Sequence, residues 1–287
     1  MHRLPSSDGV EVAVHDLGGD GPPLLLVHPT GFCAQVLSPL AAGLGRAFRC
    51  WALDLRGHGV THSPPGLDYD WSGFADDVLS AVRGLGLGRP MAFGHSSGGA
   101  ALLLAEARHP GTFAALWCYE PIVWPDSERA RSRAERLAEG AARRRERFPS
   151  PAEALANFAS KPPFSALSQE SLAAYVAHGF AADPDGSVAL RCRRETEAAI
   201  YRKAVEGDRF ALLADVDVPV VVACGDTTDA IGPDLAERLA AELPRGRSEV
   251  LAGLGHFGPL EDPPRVATAV LRDLVAGGGL GTRPQGV

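Results

Sequence analysis

The stretch Arg89-Pro-Met-Ala-Phe-Gly94-His95-Ser96-Ser97-Gly98-Gly99-Ala-Ala-Leu-Leu-Leu-Ala105 decides how the rest of this sequence is read. A short apolar run ends in Gly-x-Ser-x-Gly and passes directly into a helical pattern. That order describes a nucleophile elbow, a serine on a strained strand-to-helix turn with its hydroxyl lifted above the edge of a sheet. Small residues at 94, 98 and 99 let the strand and the helix approach closely enough to make the turn. The helix N-terminus beneath Ser96 offers free backbone N–H groups to a developing negative charge. The plainer alternative is a tight glycine turn whose serine only caps a helix. The position between a strand and a helix favours the nucleophile.

Outward from the elbow, short apolar runs alternate with helical patterns. Residues 10–14 alternate like an edge strand, and 24–27 form a continuous apolar run suited to a strand buried on both faces. Residues 49–53 form another, followed by Asp54-Leu-Arg-Gly-His-Gly59. A helix reads over 71–85, and a further strand over 115–119 ends at Glu120-Pro121. Alternation of this kind predicts a parallel sheet with helices on both faces. From about 124 to 208 no buried strand is visible, and the segment reads as a helical insertion. Its first helix, over 127–147, carries eight arginines interleaved with Glu128, Glu135, Glu139 and Glu146. That interleaving favours a solvated, salt-bridged helix over a nucleic-acid surface. The alternation resumes with the run 218–224, a helix over 232–243, a strand over 248–251 and a helix over 264–276. The division expected is core at 1–123, insertion at 124–208, core again at 209–276 and a disordered tail at 277–287.

With 287 residues and 45% hydrophobic content, the chain has the composition of an ordinary globular protein. A net charge of -7 disfavours nucleic acid and anionic membranes as partners. The five cysteines are scattered without metal-type spacing, which suggests a reducing, cytoplasmic setting and no structural zinc. The start of the sequence lacks an apolar signal region, and no run approaches a membrane span.

Together the landmarks resemble the α/β-hydrolases along nearly the whole chain. They are His28-Pro29-Thr30-Gly31-Phe32, Asp54-Leu-Arg-Gly-His-Gly59, the elbow at Ser96, and Gly255-His256-Phe257, in that order. The resemblance implies a mostly parallel, roughly eight-stranded sheet flanked by helices. It also implies that the insertion is a helical cap over the active site. Ser96 is then the nucleophile and His256 the base that takes its proton. The oxyanion hole is formed by the backbone N–H groups of Ser97 and Thr30; Pro29 has no N–H to give. His28 and His58 occupy loops that the family uses structurally, and Asp54 reads as a brace for the turn that follows it.

The acid is the open position. Aligning Gly225-Asp-Thr-Thr-Asp-Ala with the common pattern places Thr228 where an aspartate is usual, with Asp226 and Asp229 beside it. Glu120, 24 residues beyond Ser96, is the other candidate. Haloalkane dehalogenases and a zearalenone-lactonase-like group place their acid at that strand end. Serine at 96 disfavours dehalogenation and epoxide opening, which need an aspartate nucleophile. The expected activity is hydrolysis of a carboxylic ester or lactone of a small, largely apolar substrate, with no metal, nucleotide or organic cofactor. Carbon–carbon bond hydrolysis, perhydrolysis and slow-turnover ligand binding are the alternatives. Phe32, Trp124, Phe164, Tyr201, Phe257 and Leu260 are the expected pocket residues. The sequence leaves the oligomeric state undetermined.

Overall fold

In the computed structural model, which describes residues 1–275, the apolar runs become strands of one eight-stranded sheet. The first six strands are β1 (His2–Pro5), β2 (Glu11–Gly18), β3 (Pro23–Val27), β4 (Arg49–Asp54), β5 (Met91–His95) and β6 (Ala115–Tyr119). Three short strands follow, β7 (Arg147–Phe148), β8 (Phe180–Ala182) and β9 (Val188–Leu190), then β10 (Val220–Gly225) and β11 (Gly246–Leu251). The main sheet has the order β1-β2-β4-β3-β5-β6-β10-β11. β2 runs antiparallel to both β1 and β4, and every other pairing is parallel. The run at 10–14 is therefore not an edge; β1, short and polar, covers it.

The helices of the core are α1 (Ser38–Leu44), α2 (Trp71–Gly84) and α3 (Ser97–Arg108). Between β6 and β10 lie α4 (Glu128–Ala142), α5 (Pro151–Ala159), α6 (Gln169–His178) and α7 (Arg194–Lys203). After β10 come α8 (Pro233–Glu242), the single turn α9 (Gly258–Glu261) and α10 (Pro263–Val275). The expected tail at 277–287 lies outside the described residues. Among the described residues no helix is long and apolar enough to cross a membrane.

The all-apolar strand β3 shows why the sheet is covered on both sides. Leu25 and Val27 belong to the apolar layer that also contains α2, α3 and α8, while Leu24 and Leu26 belong to the opposite layer, with α1 and α10. Each is completely buried, and a leucine so placed is worth roughly 1.5–3 kcal/mol. All five cysteines are free and buried.

The segment between β6 and β10 is not purely helical. β7, β9 and β8 form a small antiparallel sheet. Strands of two or three residues are too short to leave an alternating pattern, which is why the sequence reading missed them. The Asp183-Pro-Asp-Gly186 turn joins two of them, with Gly186 in the left-handed region at φ +86. In α4, Ser127 caps the helix by accepting from Ala130 N–H, and the apolar stripe Ala130, Ala134, Ala138 and Ala141 is buried. Trp71 of α2 ties the segment down by donating its indole N–H to Ile200 O at 3.2 Å.

Loops at the carboxyl edge of the sheet are held by buried polar groups. Asp54 accepts from Ala34 N–H at 2.7 Å, Val60 N–H at 3.0 Å and His15 Nε2 at 2.9 Å. Arg56, fully buried, makes a bidentate pair with Asp77, which also accepts from the Arg56 backbone N–H. His28 donates from Nδ1 to Pro29 O and accepts from Leu55 N–H at Nε2. His58 donates from Nδ1 to Arg56 O and accepts from Gly31 N–H at Nε2. A proton on either Nε2 would face an N–H donor, so both imidazoles are neutral in the fold. Burial pushes both below the ordinary histidine value of 6.5, His58 to about 3.

Asp77→Ala removes the fully buried carboxylate that pairs with Arg56 and leaves the exposed Asp8 as its carboxylate partner. It is expected to cost about 3 kcal/mol, the lower end of the range for breaking a buried pair, measured by urea unfolding. In the unfolded chain these histidines take up protons near pH ~6.5, whereas in the fold they stay neutral. The unfolded state therefore binds more protons, and stability falls between about pH 7 and about pH 5, above the range where carboxylates titrate. Urea midpoints across that window test the sign; a flat or rising profile on acidification contradicts neutral buried imidazoles.

Candidate active site

The elbow is built from a backbone conformation that side chains rarely adopt. Ser96 has φ 57 and ψ -116, between the end of β5 and the first residue of α3. Such strain costs roughly 1–3 kcal/mol and persists only where the surroundings enforce it. Here they do. A Cβ at Gly98 would lie 2.3 Å from Val27 O, and one at Gly94 would lie 2.6 Å from Gly99 N. Ser96 N–H donates to Tyr119 O at 2.9 Å, and Ser96 O accepts from Ala100 N–H and Ile122 N–H.

His256 lies in the loop after β11, and its Nε2 is 3.2 Å from Ser96 Oγ. Its Nδ1 is 2.7 Å from Glu120 Oε2. A carboxylate can only accept, so the imidazole proton sits on Nδ1 and Nε2 is free to accept from the serine hydroxyl. The loop is held from both sides. His95 Nε2 donates to His256 O at 2.8 Å, Tyr119 Oη donates to Gly255 O at 2.7 Å, and Gly255 N–H donates to Glu261 Oε2 at 2.9 Å. Burial keeps His95 well below the ordinary histidine pKa, so it stays a neutral brace.

Glu120 is completely buried, with φ 44 at the point where β6 leaves the sheet. Its Oε1 accepts from Gly225 N–H at 3.1 Å, and its Oε2 accepts from Thr228 Oγ1 at 2.7 Å, Ile231 N–H at 3.3 Å and the His256 ring. The two alternative carboxylates lie elsewhere. Asp226 accepts from Gly253 N–H, and Asp229 pairs with Arg133 in an exposed loop. Thr228, at the usual aspartate position, thus bonds Glu120 rather than His256.

Thr30 and Ser97 line a cavity of about 730 Å³ that also contains Ser96 and His256. Neither of their backbone N–H groups has a protein acceptor among the described residues. Gly31 N–H, by contrast, is spent on His58. Phe32, Trp124, Phe164, Tyr201 and Phe257 line the same cavity. Leu260 does not: on the single turn of α9 it points inward and is completely buried in the core.

One wall was not anticipated. α4 and the residues just after it turn Arg133, Arg136, Leu137, Gly140, Ala141 and Arg144 into the cavity. The arginine-rich helix is therefore salt-bridged on its outer face, as with Arg143 and Glu139, but not solvated all round. The steps of three and four between the lining positions were present in the sequence and mark one helical face. Arg144 is bound by Glu197 and donates to Tyr175 Oη at 2.7 Å.

Comparison with known proteins agrees with this architecture. The chain is 34% identical over 92 residues to 2-(acetamidomethylene)succinate hydrolase of Mesorhizobium japonicum, covering 32% of this chain and 33% of that protein. It is 34% identical over 117 residues to a bifunctional esterase/perhydrolase of Acinetobacter calcoaceticus, covering 38% and 40%. These matches span between a third and two fifths of each relative's length. The crystal structure of E-2-(acetamidomethylene)succinate hydrolase superposes with a TM-score of 0.82 at 21% identity, over 95% of this chain and 98% of that one. At that identity the likeness concerns the fold alone. The model of the Alpha/beta hydrolase family matches residues 24–269. With the eight-stranded sheet, the elbow and that match spanning most of the sequence, the chain belongs to the alpha/beta hydrolase family.

Proposed function

We propose that this protein is a serine hydrolase that cleaves a carboxylic ester, lactones included, through an acyl-enzyme. The observation that carries the reading is the unbroken line from Ser96 Oγ to His256 Nε2, and from His256 Nδ1 to the buried Glu120 carboxylate. In this reading Ser96 Oγ attacks the substrate carbonyl as its proton passes to Nε2. The tetrahedral oxyanion is received by the N–H groups of Thr30 and Ser97. Collapse breaks the C–O bond, and the leaving alcohol takes the proton from Nε2. Water then attacks the acyl-enzyme, gives a proton to Nε2 and releases the acid, and that proton returns to Ser96. In a lactone the leaving alcohol stays tethered, and the product is a hydroxy acid.

Residues 124–208 act as the cap in this scheme, closing an aromatic cavity over Ser96 and limiting water. The walls formed by Phe32, Trp124, Phe164, Tyr201 and Phe257 suit a small acyl or alcohol group of mainly apolar character. Perhydrolysis is a second reading, favoured by the relative named as an esterase/perhydrolase. It differs in one step, with hydrogen peroxide in place of water giving a peracid.

A fluorophosphonate is expected to add one adduct to the folded wild-type protein by intact mass and none to Ser96→Ala. No adduct on folded wild type would overturn the nucleophile assignment. Glu120→Gln keeps the shape but removes the charge that stabilises the imidazolium. It should lower kcat on a responsive ester by ~10³–10⁴, the scale expected for losing a triad acid. A loss of less than about tenfold would exclude Glu120 as the acid.

A further inference from the structure

We propose that the cavity takes an anionic substrate whose carboxylate is received by Arg136. The proposal rests on the reading of Ser96 as the hydrolytic centre and narrows it to esters that carry a second, ionised carboxyl group.

Three arginines, Arg133, Arg136 and Arg144, line the cavity, and two of them are already engaged by carboxylates. Arg133 donates to Asp229 O at 2.6 Å and pairs with its carboxylate at 3.3 Å. Arg144 is bound by Glu197. The remaining lining carboxylate, Glu261, accepts from Gly255 N–H beside His256. Arg136, exposed at the rim of the cavity, has neither an ion pair nor a hydrogen-bond acceptor among the described residues, which leaves its guanidinium available to a ligand. A planar fork of donors at the edge of an apolar cavity is matched by a carboxylate, which it binds through two parallel N–H···O bonds.

Gly140 is an independent observation that points to the same place. It sits one helical turn beyond Arg136 and one before Arg144, and it lines the cavity. A Cβ built there meets nothing within 4 Å, so no close packing requires glycine. Its φ is an ordinary helical one rather than left-handed. Glycine inside a helix costs about 1 kcal/mol relative to alanine. What the glycine provides is room: a gap in the helix surface one turn from Arg136 and one turn from Arg144, both of which line the same cavity. The carboxylate-bearing end of the substrate fits over that gap, with its ester carbonyl toward Ser96.

The test compares monomethyl glutarate with methyl hexanoate, a neutral ester of similar length, on wild type, Arg136→Ala and Arg136→Lys. Wild type is expected to prefer the anionic ester at least tenfold in kcat/KM. Arg136→Ala should bring that ratio to near unity, mainly through KM, and Arg136→Lys should retain part of it. A second arm measures the melting temperature of Ser96→Ala protein, with and without Arg136→Ala, in excess glutarate. A rise that requires Arg136 supports the subsite whatever the turnover. Cleavage of the neutral ester with no anionic preference overturns the subsite and leaves the hydrolase reading standing. A preference or a glutarate shift that survives Arg136→Ala overturns the assignment to Arg136. If neither ester is cleaved but the Arg136-dependent shift is present, the subsite stands and the esterase reading fails; loss of both signals overturns both.

Discussion

The contact on which the rest depends is the approach of Gly98 to the end of β3. A single methyl group at 98 would sit inside the contact distance of the Val27 carbonyl oxygen. That closeness lets α3 begin directly above the sheet edge, and it forces Ser96 into its strained turn. Once the turn is fixed, the serine hydroxyl, the first N–H groups of α3 and the loop after β3 share one small volume. The remaining groups have only to reach it, and each does so from the carboxyl end of a strand, where loops of parallel sheets converge. Rigidity comes from the sheet and its two apolar faces, and the reactive side chains ride on that frame.

The carboxylate beside His256 shows where the sequence was informative and where it stopped. Thr228 in the usual aspartate position, together with Glu120 at the end of β6, raised the alternative acid, but Asp226 and Asp229 could not be dismissed from spacing. Only the three-dimensional arrangement shows which of these carboxylates meets His256. The side chain of Glu120 reaches His256, while Asp226 is taken up by a backbone N–H and Asp229 by an arginine. Thr228 has a positive role that spacing could not reveal, since its hydroxyl bonds the same oxygen that holds the imidazole.

Legibility of the fold followed burial. β3, β5, β6 and β10 are buried on both faces, so their runs of apolar residues stand out in the sequence. β1 is polar and exposed, and β7, β8 and β9 are too short to show a period; these were invisible. Ser96 and His256 stood out because each sits in a motif, whereas Phe164 and Tyr201 were chosen only by their place in the inserted segment. Leu260 could not be placed, because on a single helical turn one residue decides between cavity and core. His95 carried no signal, since its work is a bond to a carbonyl far away in the chain. The arginines of α4 were misjudged because their interleaved glutamates suggested a uniform polar surface, whereas one face of the helix turns inward.

The Arg144–Glu197 pair decides how this site tolerates substitution. Both side chains lie against Gly31, where a Cβ would collide with the glutamate, so the pair is wedged between the inserted segment and the loop bearing Thr30. Losing either partner alone leaves a poorly solvated charge pressed on that loop, a defect worth about 3–5 kcal/mol in comparable buried pairs. Single replacements at 144 or 197 therefore carry a stability cost, even though neither residue belongs to the proposed triad. Replacing both partners together by apolar residues of similar volume removes that penalty, so the inserted segment and the loop it shields respond to substitution as one unit.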